Sequence, residues 1–230
     1  SDEDEVNTIS RIFTTINSIY IADGHHRCAS AVKVGLKKRE ENEGKIRGKL
    51  KSDYFLSVLF PDDELEIMDY NRIVKDLNGL SVDEFKNTIA EKFEVNEENE
   101  AVKPLHKEQF GMYLDGKWYR LEAKDSIKKD DAVEGLDVSV LQNEVLSPIL
   151  GIDDPKTDKR IDFIGGIRGL SEIEKRCQNG YAVGFSMYPT SIDELFEVAD
   201  KGRLMPPKST WFEPKLLSGL FIHDICGTII

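Results

Sequence analysis

The chain has 230 residues, of which 40% are hydrophobic, with a formal net charge of −12 and a pI near 4.9. That apolar content can fill one large core or two small ones, which excludes global disorder, and the acidity argues against a surface that grips nucleic acid through its phosphates. Cys28, Cys177 and Cys226 are widely spaced, form no CxxC pair and suggest neither a disulfide framework nor a zinc site; no apolar run nears the roughly 18 residues of a membrane span, so a reducing cytoplasm is the expected setting.

Residues 2–16 open with acids and continue with Val6, Ile9, Ile12, Phe13 and Ile16 at helical spacing. Ile19-Tyr20-Ile21 reads as a buried strand, and a helix follows from about Ala29 to Arg39. ENEGKIRGKLKSD, residues 41–53, is polar, carries two glycines and predicts a mobile loop. YFLSVLF at 54–60 has a buried-strand pattern, and LEIMDYNRIV continues as another strand. Ser81 and Glu84 form a capping box for a helix through Lys92, and NEENEAVKP reads as a solvated linker. FGMYLDGKWYRL is a hairpin, two alternating arms about Asp115-Gly116. Asp137 is placed to cap a helix through Val145.

The last third alternates. IDFIGG predicts a strand, Leu170 to Gln178 a helix stopped by Asn179-Gly180, and YAVGFSMYP a strand. Ser191 and Glu194 make a second capping box, for a helix closed by Gly202. RLMPPKSTWFEPK has no periodicity, and SGLFIHDI reads as a closing strand. The expected class is α+β, mixed sheets with flanking helices. A soft boundary near residues 124–136 divides a hairpin-containing region, 1–124, from a C-terminal α/β region, 125–230.

The densest cationic cluster of this acidic chain, DGHHR, sits where the first strand gives way to helix. Asp23-Gly24 lets the backbone turn, the helix start presents free N–H groups, and those donors with the helix dipole favour an anion. Arg27 adds a fork suited to phosphate or carboxylate, and His25 and His26 add further donors. Plainer readings stand beside this one: Arg27 pairs with the acidic first helix, the histidines fill surface or core, and Cys28 is an inert helix thiol. Adjacent histidines on a helix do not converge on one metal ion.

The tail RLMPPKSTWFEPK offers Lys208, Ser209 and Thr210 in a loop stiffened by Pro206-Pro207, able to hold a phosphate or a substrate carboxylate. Its lack of a preceding G-x-x-x-x-G excludes a Walker motif. The alternative is a structural tail in which Trp211 and Phe212 plug the core. Crowding Arg27, Lys208 and Lys215 around one anion would join corner and tail in a single site. Gly165-Gly166-Ile167-Arg168-Gly169 is either a further anion cradle or a tight turn.

IADGHHRCASAVKVG resembles the strand-turn-helix signature of the ParB/sulfiredoxin-like fold, in which a G-x-x-R corner binds nucleotide phosphates, and especially the DGHHR version in ParB-like kinases of free serine. Sulfiredoxins place a reactive cysteine after the glycine, where this chain has His25. The basic helix-turn-helix region of ParB partition proteins has no counterpart here. DGHHR, LDVSVLQNEVLSPILGI, RIDFIGG and LMPPKSTWFEPKLLSGLFIHDI together resemble the C-terminal part of the domain-of-unknown-function family numbered ten-fifteen. Its members extend further at the N-terminus, so the resemblance implies a C-terminal fragment.

These readings predict a nucleotide- or phosphate-binding protein acting as a kinase of a small, serine-like hydroxylated metabolite. Asp23, Gly24, His25, His26 and Arg27 would bind phosphate, Lys208, Ser209 and Thr210 would bind phosphate or substrate, and ATP or ADP with magnesium would be the cofactor. The rivals are a non-catalytic nucleotide-sensing module and a ParB-like nucleic-acid-binding protein.

Overall fold

The computed structural model describes residues 2–43, 49–217 and 219–228. The chain divides into two compact units: residues 61–214 form one, and residues 1–60 with 215–230 form the other.

The 61–214 unit is built on a six-stranded sheet. Its strands are β2 (Tyr70–Val74), β3 (Phe93–Glu98), β4 (Gln109–Leu114), β5 (Lys117–Ala123), β6 (Ile161–Gly165) and β7 (Val183–Ser186), ordered β3-β5-β4-β7-β2-β6. A separate two-stranded sheet pairs β1 (Glu66–Met68) with β8 (Trp211–Glu213). Every strand pair among the described residues is antiparallel, so the expected mixed sheets are not what forms. The class is α+β, with helices α3 (Val82–Lys92), α4 (Asp137–Leu141), α5 (Ser171–Gln178) and α6 (Ile192–Asp200) in this unit.

Strand alternation splits the apolar residues between the two faces of the sheet. Val74, Phe110, Met112, Leu121 and Phe185 join one buried cluster with Phe85 and Ile89 of α3 and Leu141 of α4. Ile73, Tyr113, Trp118 and Ile164 form a second cluster with Ile173 of α5. The β4–β5 hairpin turns through Asp115 and Gly116 at φ 50° and 78°, the left-handed pair that matches strand twist. Both capping boxes form: Ser81 Oγ accepts from Glu84 N at 3.3 Å and Ser191 Oγ from Glu194 N at 3.2 Å, each contributing about 1 kcal/mol.

Three expectations for this unit need correction. NEENEAVKP is not wholly linker, because β3 runs on to Glu98 against β5. LEIMDYNRIV is two strands in two sheets, separated at Asp69. Asp137 does not cap its helix. Leu136 occupies that position, α4 ends at Leu141, and a π turn, Gln142–Leu146, carries the chain on.

The other unit holds α1 (Glu3–Phe13) and α2 (His25–Glu41). Asp2 caps α1, its carboxylate accepting from Asp4 N at 2.9 Å. The expected strand at 19–21 is absent, and those residues are extended chain with Ile19 and Ile21 exposed. YFLSVLF likewise forms no strand, and Phe55, Leu56, Val58 and Leu59 are exposed. Among residues 219–225 there is no closing strand either, and Ser218 lies outside the described residues. Residues 44–48 of the predicted loop also lie outside them, while Lys51–Asp53 forms a single helical turn. What holds this unit is mostly polar. Arg39 pairs with Asp53 at 2.5 Å, Lys51 with Asp224 at 3.4 Å, and Lys38 Nζ donates to Ile225 O at 3.0 Å. No helix among the described residues is long and apolar enough to cross a membrane.

Candidate functional site

The DGHHR corner forms within the first unit. Gly24 stands before α2 at φ 88° and ψ 25°, a left-handed conformation that glycine adopts without penalty. The helix begins at His25, earlier than its apolar pattern suggests, and its first hydrogen bond runs from Cys28 N to Gly24 O at 2.9 Å. The amides of His25, His26 and Arg27 therefore have no acceptor among the described residues, as the first turn of a helix requires.

The Arg27 guanidinium folds back over this turn. A Cβ built on Gly24 would lie 2.9 Å from its Nε and 3.0 Å from its Nη2. Asp23 shapes the corner: one carboxylate oxygen accepts from Gly24 N at 2.8 Å, and the other stands 3.8 Å from Arg27 and 3.4 Å from Lys215. Arg27 is thus paired within the corner and not with the acidic first helix. Its side chain is 64% exposed and that of Asp23 52% exposed. An ion pair in so much water contributes little and yields readily to a stronger anion. His25 and His26 are exposed, and Cys28 is half-buried. Among the described residues no three His, Cys, Asp or Glu side chains gather as a metal site.

The tail loop belongs to the second unit. Lys208 is exposed and has φ 59°, left-handed for a residue that bears a Cβ. Its ammonium lies over the Tyr70 ring, 5.4 Å from the centroid, and donates to the Tyr70 hydroxyl at 3.3 Å. Ser209 is buried and its hydroxyl donates inward to Pro206 O at 2.6 Å. Thr190 Oγ1 in turn donates to Ser209 O at 3.3 Å. Thr210 is half-buried. Trp211 packs against Gly165, where a Cβ would meet its ring at 2.6 Å, and Phe212 is buried. The structural role of the two aromatics and the outward display of Lys208 are therefore both present in one loop. Upstream, Arg203 grips both Asp131 oxygens at 2.7 and 2.6 Å.

The Gly165–Gly169 turn behaves as a tight turn. Gly166 N donates to Asp69 O at 2.8 Å, and a Cβ at Gly166 would lie 2.2 Å from the Asp69 carboxylate.

Two charged groups escape the sequence patterns. Arg72 lies on β2, 3% exposed, between Phe163 of β6 and Phe185 of β7. Its guanidinium donates to Tyr70 O, and to Lys208 O at 2.9 Å, and stands 5.6 Å from the centroid of the Phe163 ring. Burial pushes its pKa down to about 10, so it stays charged at neutral pH. Asp137 is 7% exposed, and its two oxygens accept Glu108 N at 2.9 and 3.1 Å. Burial pushes its pKa up to about 7 against the pull of that hydrogen bond. A charge interrupting a buried strand and an acid beside a helix start are the available signals. Neither says which residues surround it.

No curated protein matches the sequence. Among solved structures, a free serine kinase in complex with AMP is similar at 18% identity and a TM-score of 0.42, over 84% of this chain and 66% of that one. A variant of that kinase in complex with ADP gives 18% identity and a TM-score of 0.46 with the same coverage. A conserved hypothetical protein from Pyrococcus furiosus gives 16% and 0.44, over 84% of this chain and 68% of that one. The chain thus spans just under two thirds of the length of the kinase chains it resembles. Residues 1–139, more than half of the sequence, match the family model described as a protein of unknown function (DUF1015), and the chain belongs to that family.

Proposed function

We propose that this protein binds nucleotide phosphate at the DGHHR corner and serves phosphoryl transfer to a small hydroxylated metabolite such as serine. The observation that carries the reading is the combination at one helix start: left-handed Gly24, three amides without acceptors, and the Arg27 guanidinium folded over them. A helix N-terminus alone is common, but a guanidinium held against it makes a site with matched donors for phosphate oxygens. The resemblance of DGHHR to the corner of ParB-like free-serine kinases gives the reaction class.

Asp23 is one carboxylate already flanked by Arg27 and Lys215, so the described residues do not fit a resident magnesium ion. Magnesium would arrive with the nucleotide, held chiefly by its phosphates. In the tail loop Lys208 is the group free to meet phosphate or substrate, because the Ser209 hydroxyl already donates inward.

The exposed Ile19, Ile21, Phe55 and Leu56 support the further expectation that turnover needs additional polypeptide to complete the first unit. Calorimetric titration with AMP, ADP and ATP tests the binding. The intact chain should bind at least one of them, and Arg27→Ala should weaken it by about tenfold or more. Equal affinity in the variant would remove the corner from consideration. Binding without any turnover of ATP in the full-length protein would favour the nucleotide-sensing alternative.

A further inference from the structure

Arg72 is a cation in the wrong place for packing alone. A guanidinium this deeply buried is ordinarily matched by a carboxylate, because an unpaired charge in the interior is strongly destabilising. Arg72 makes no ion pair with any described residue within 4.0 Å, and its partners are two carbonyls and an aromatic face. One of those carbonyls belongs to Lys208, whose ammonium likewise makes no such pair. In a chain with 43 acidic and 31 basic residues, two neighbouring cations thus have no carboxylate partner among the described residues. The backbone between them is also unusual. Lys208 holds φ 59°, a left-handed conformation that crowds the Cβ of a non-glycine residue. Buried charge, left-handed backbone and adjacent cations converge on one loop, and each would be cheaper with another residue.

We propose that Lys208 and Tyr70 form a seat for a dianionic phosphate, and that Arg72 is the positioning residue that holds Lys208 in place for it. The seat lies entirely within the 61–214 unit. It deepens the reading of the tail loop as an anion holder and is independent of the corner. Lys208 is exposed and Tyr70 half-buried, which puts the pair at the surface of the unit. The Tyr70 hydroxyl accepts from the ammonium, which leaves its own hydrogen to donate to the ligand. The ring is fixed by edge-on contacts with Phe163 and Trp211, with centroids 5.8 and 5.4 Å away. Two uncompensated positive charges match a dianion, whereas a carboxylate would neutralise one. Arg72 touches no ligand in this scheme. It acts through the Lys208 carbonyl and adds a field from beneath.

Equilibrium binding of inorganic phosphate to the 230-residue chain tests the seat, with Arg27→Ala as background so that the corner does not contribute. We expect saturable binding with a Kd of about 1 mM or tighter, displaced by sulfate and not by acetate. Lys208→Ala should weaken it by about tenfold or more, and Tyr70→Phe by about threefold to tenfold. Arg72→Lys retains the charge but loses the fork to Lys208 O. It should weaken phosphate in the chain that has Lys208 and have no further effect once Lys208 is Ala, which a merely structural role would not produce. If Arg72→Lys does not fold, the Lys208→Ala and Tyr70→Phe results decide alone. Phosphate binding that vanishes with Arg27→Ala overturns the seat and leaves the corner standing. Binding that ignores Arg27 and needs Lys208 does the reverse. Unchanged affinity in Lys208→Ala, or acetate competing as well as sulfate, also overturns it.

Discussion

The two units carry similar apolar patterns and reach opposite outcomes. In residues 61–214, the strands at 110–114 and 183–186 bury every side chain. In residues 1–60, the equally apolar stretches at 19–21 and 54–60 form no strand and lie largely exposed. Leu50 is the one buried apolar side chain of the first unit among the described residues. The difference is pairing. A strand satisfies its backbone and hides its side chains only when neighbours exist on its edges and face, and periodicity reports the side chains alone. The first unit is therefore tied by exposed ion pairs of small individual value, and the second by a core.

The largest test sets one phenylalanine against another. Phe85→Ala opens a cavity under the sheet and should cost about 3–5 kcal/mol in urea unfolding. Phe55→Ala, on an exposed segment, should stay within about 0.5 kcal/mol. Both tryptophans, Trp118 and Trp211, lie in the second unit, so their fluorescence reports that unit's transition. A Phe55→Ala loss as large as that of Phe85→Ala would mean that residues 54–60 are packed in solution against something outside this chain's described contacts.

A smaller effect is expected where the sheet leaves no room for a methyl group. At Gly111 a Cβ would lie 2.2 Å from Ser186 Oγ and 2.6 Å from Val102 O, the very pair that hydrogen-bonds at 2.6 Å to pin residue 102 over the sheet. Gly111→Ala should cost about 1–3 kcal/mol. Gly116→Ala, with open space around it, should lose only the left-handed preference, about 1 kcal/mol. Similar losses at the two positions would show that residue 102 is not held there.

How much of this was legible depends on how local the cause is. Helices α3 and α6 are legible because Ser81 with Glu84, and Ser191 with Glu194, carry both halves of their caps within four residues. The hairpin is legible because Asp115-Gly116 alone sets its turn. Asp137 misleads because its carboxylate answers to the amide of left-handed Glu108, 29 residues earlier. Arg72 is invisible because its burial comes from β6 and β7, both far along the chain. The corner is legible in its chemistry and misjudged in its flank, since the strand expected before it lacks a partner among the described residues.

Asp137 also gives the second unit a pH dependence. Its folded pKa of about 7 lies above the ordinary aspartate value, so between about pH 4 and 7 the folded protein holds a proton that the unfolded chain has lost. This stability is complete below pH 4, declines as pH rises from 4 to 7 and is lost above the folded pKa. The groups facing it are the Glu108 amide and carboxylate, Lys107 and Glu194. Asp137→Asn keeps an acceptor for the Glu108 amide without the buried charge. It should match the parent at pH 4 and exceed it by about 2–4 kcal/mol at pH 8, the upper end being three pKa units at about 1.4 kcal/mol each. A constant difference across that range would assign the effect to packing.

A small effect on stability is also expected at the corner, where glycine serves conformation and space together. Gly24→Ala places a Cβ on a left-handed residue, costing about 1 kcal/mol of helix start, and brings it within 2.9 Å of Arg27 Nε. The guanidinium is the far end of an exposed side chain, so it swings away at little cost and takes the anion donor with it. Gly24→Asn separates the two consequences. Asparagine tolerates the left-handed region and caps helices, so the far-UV helix signal and its melting should return close to the parent. Its Cβ displaces Arg27 just as alanine's does, so nucleotide affinity should remain low. Affinity that recovers with stability would mean that the backbone amides hold the ligand alone, and that Arg27 folds over the turn only for Asp23.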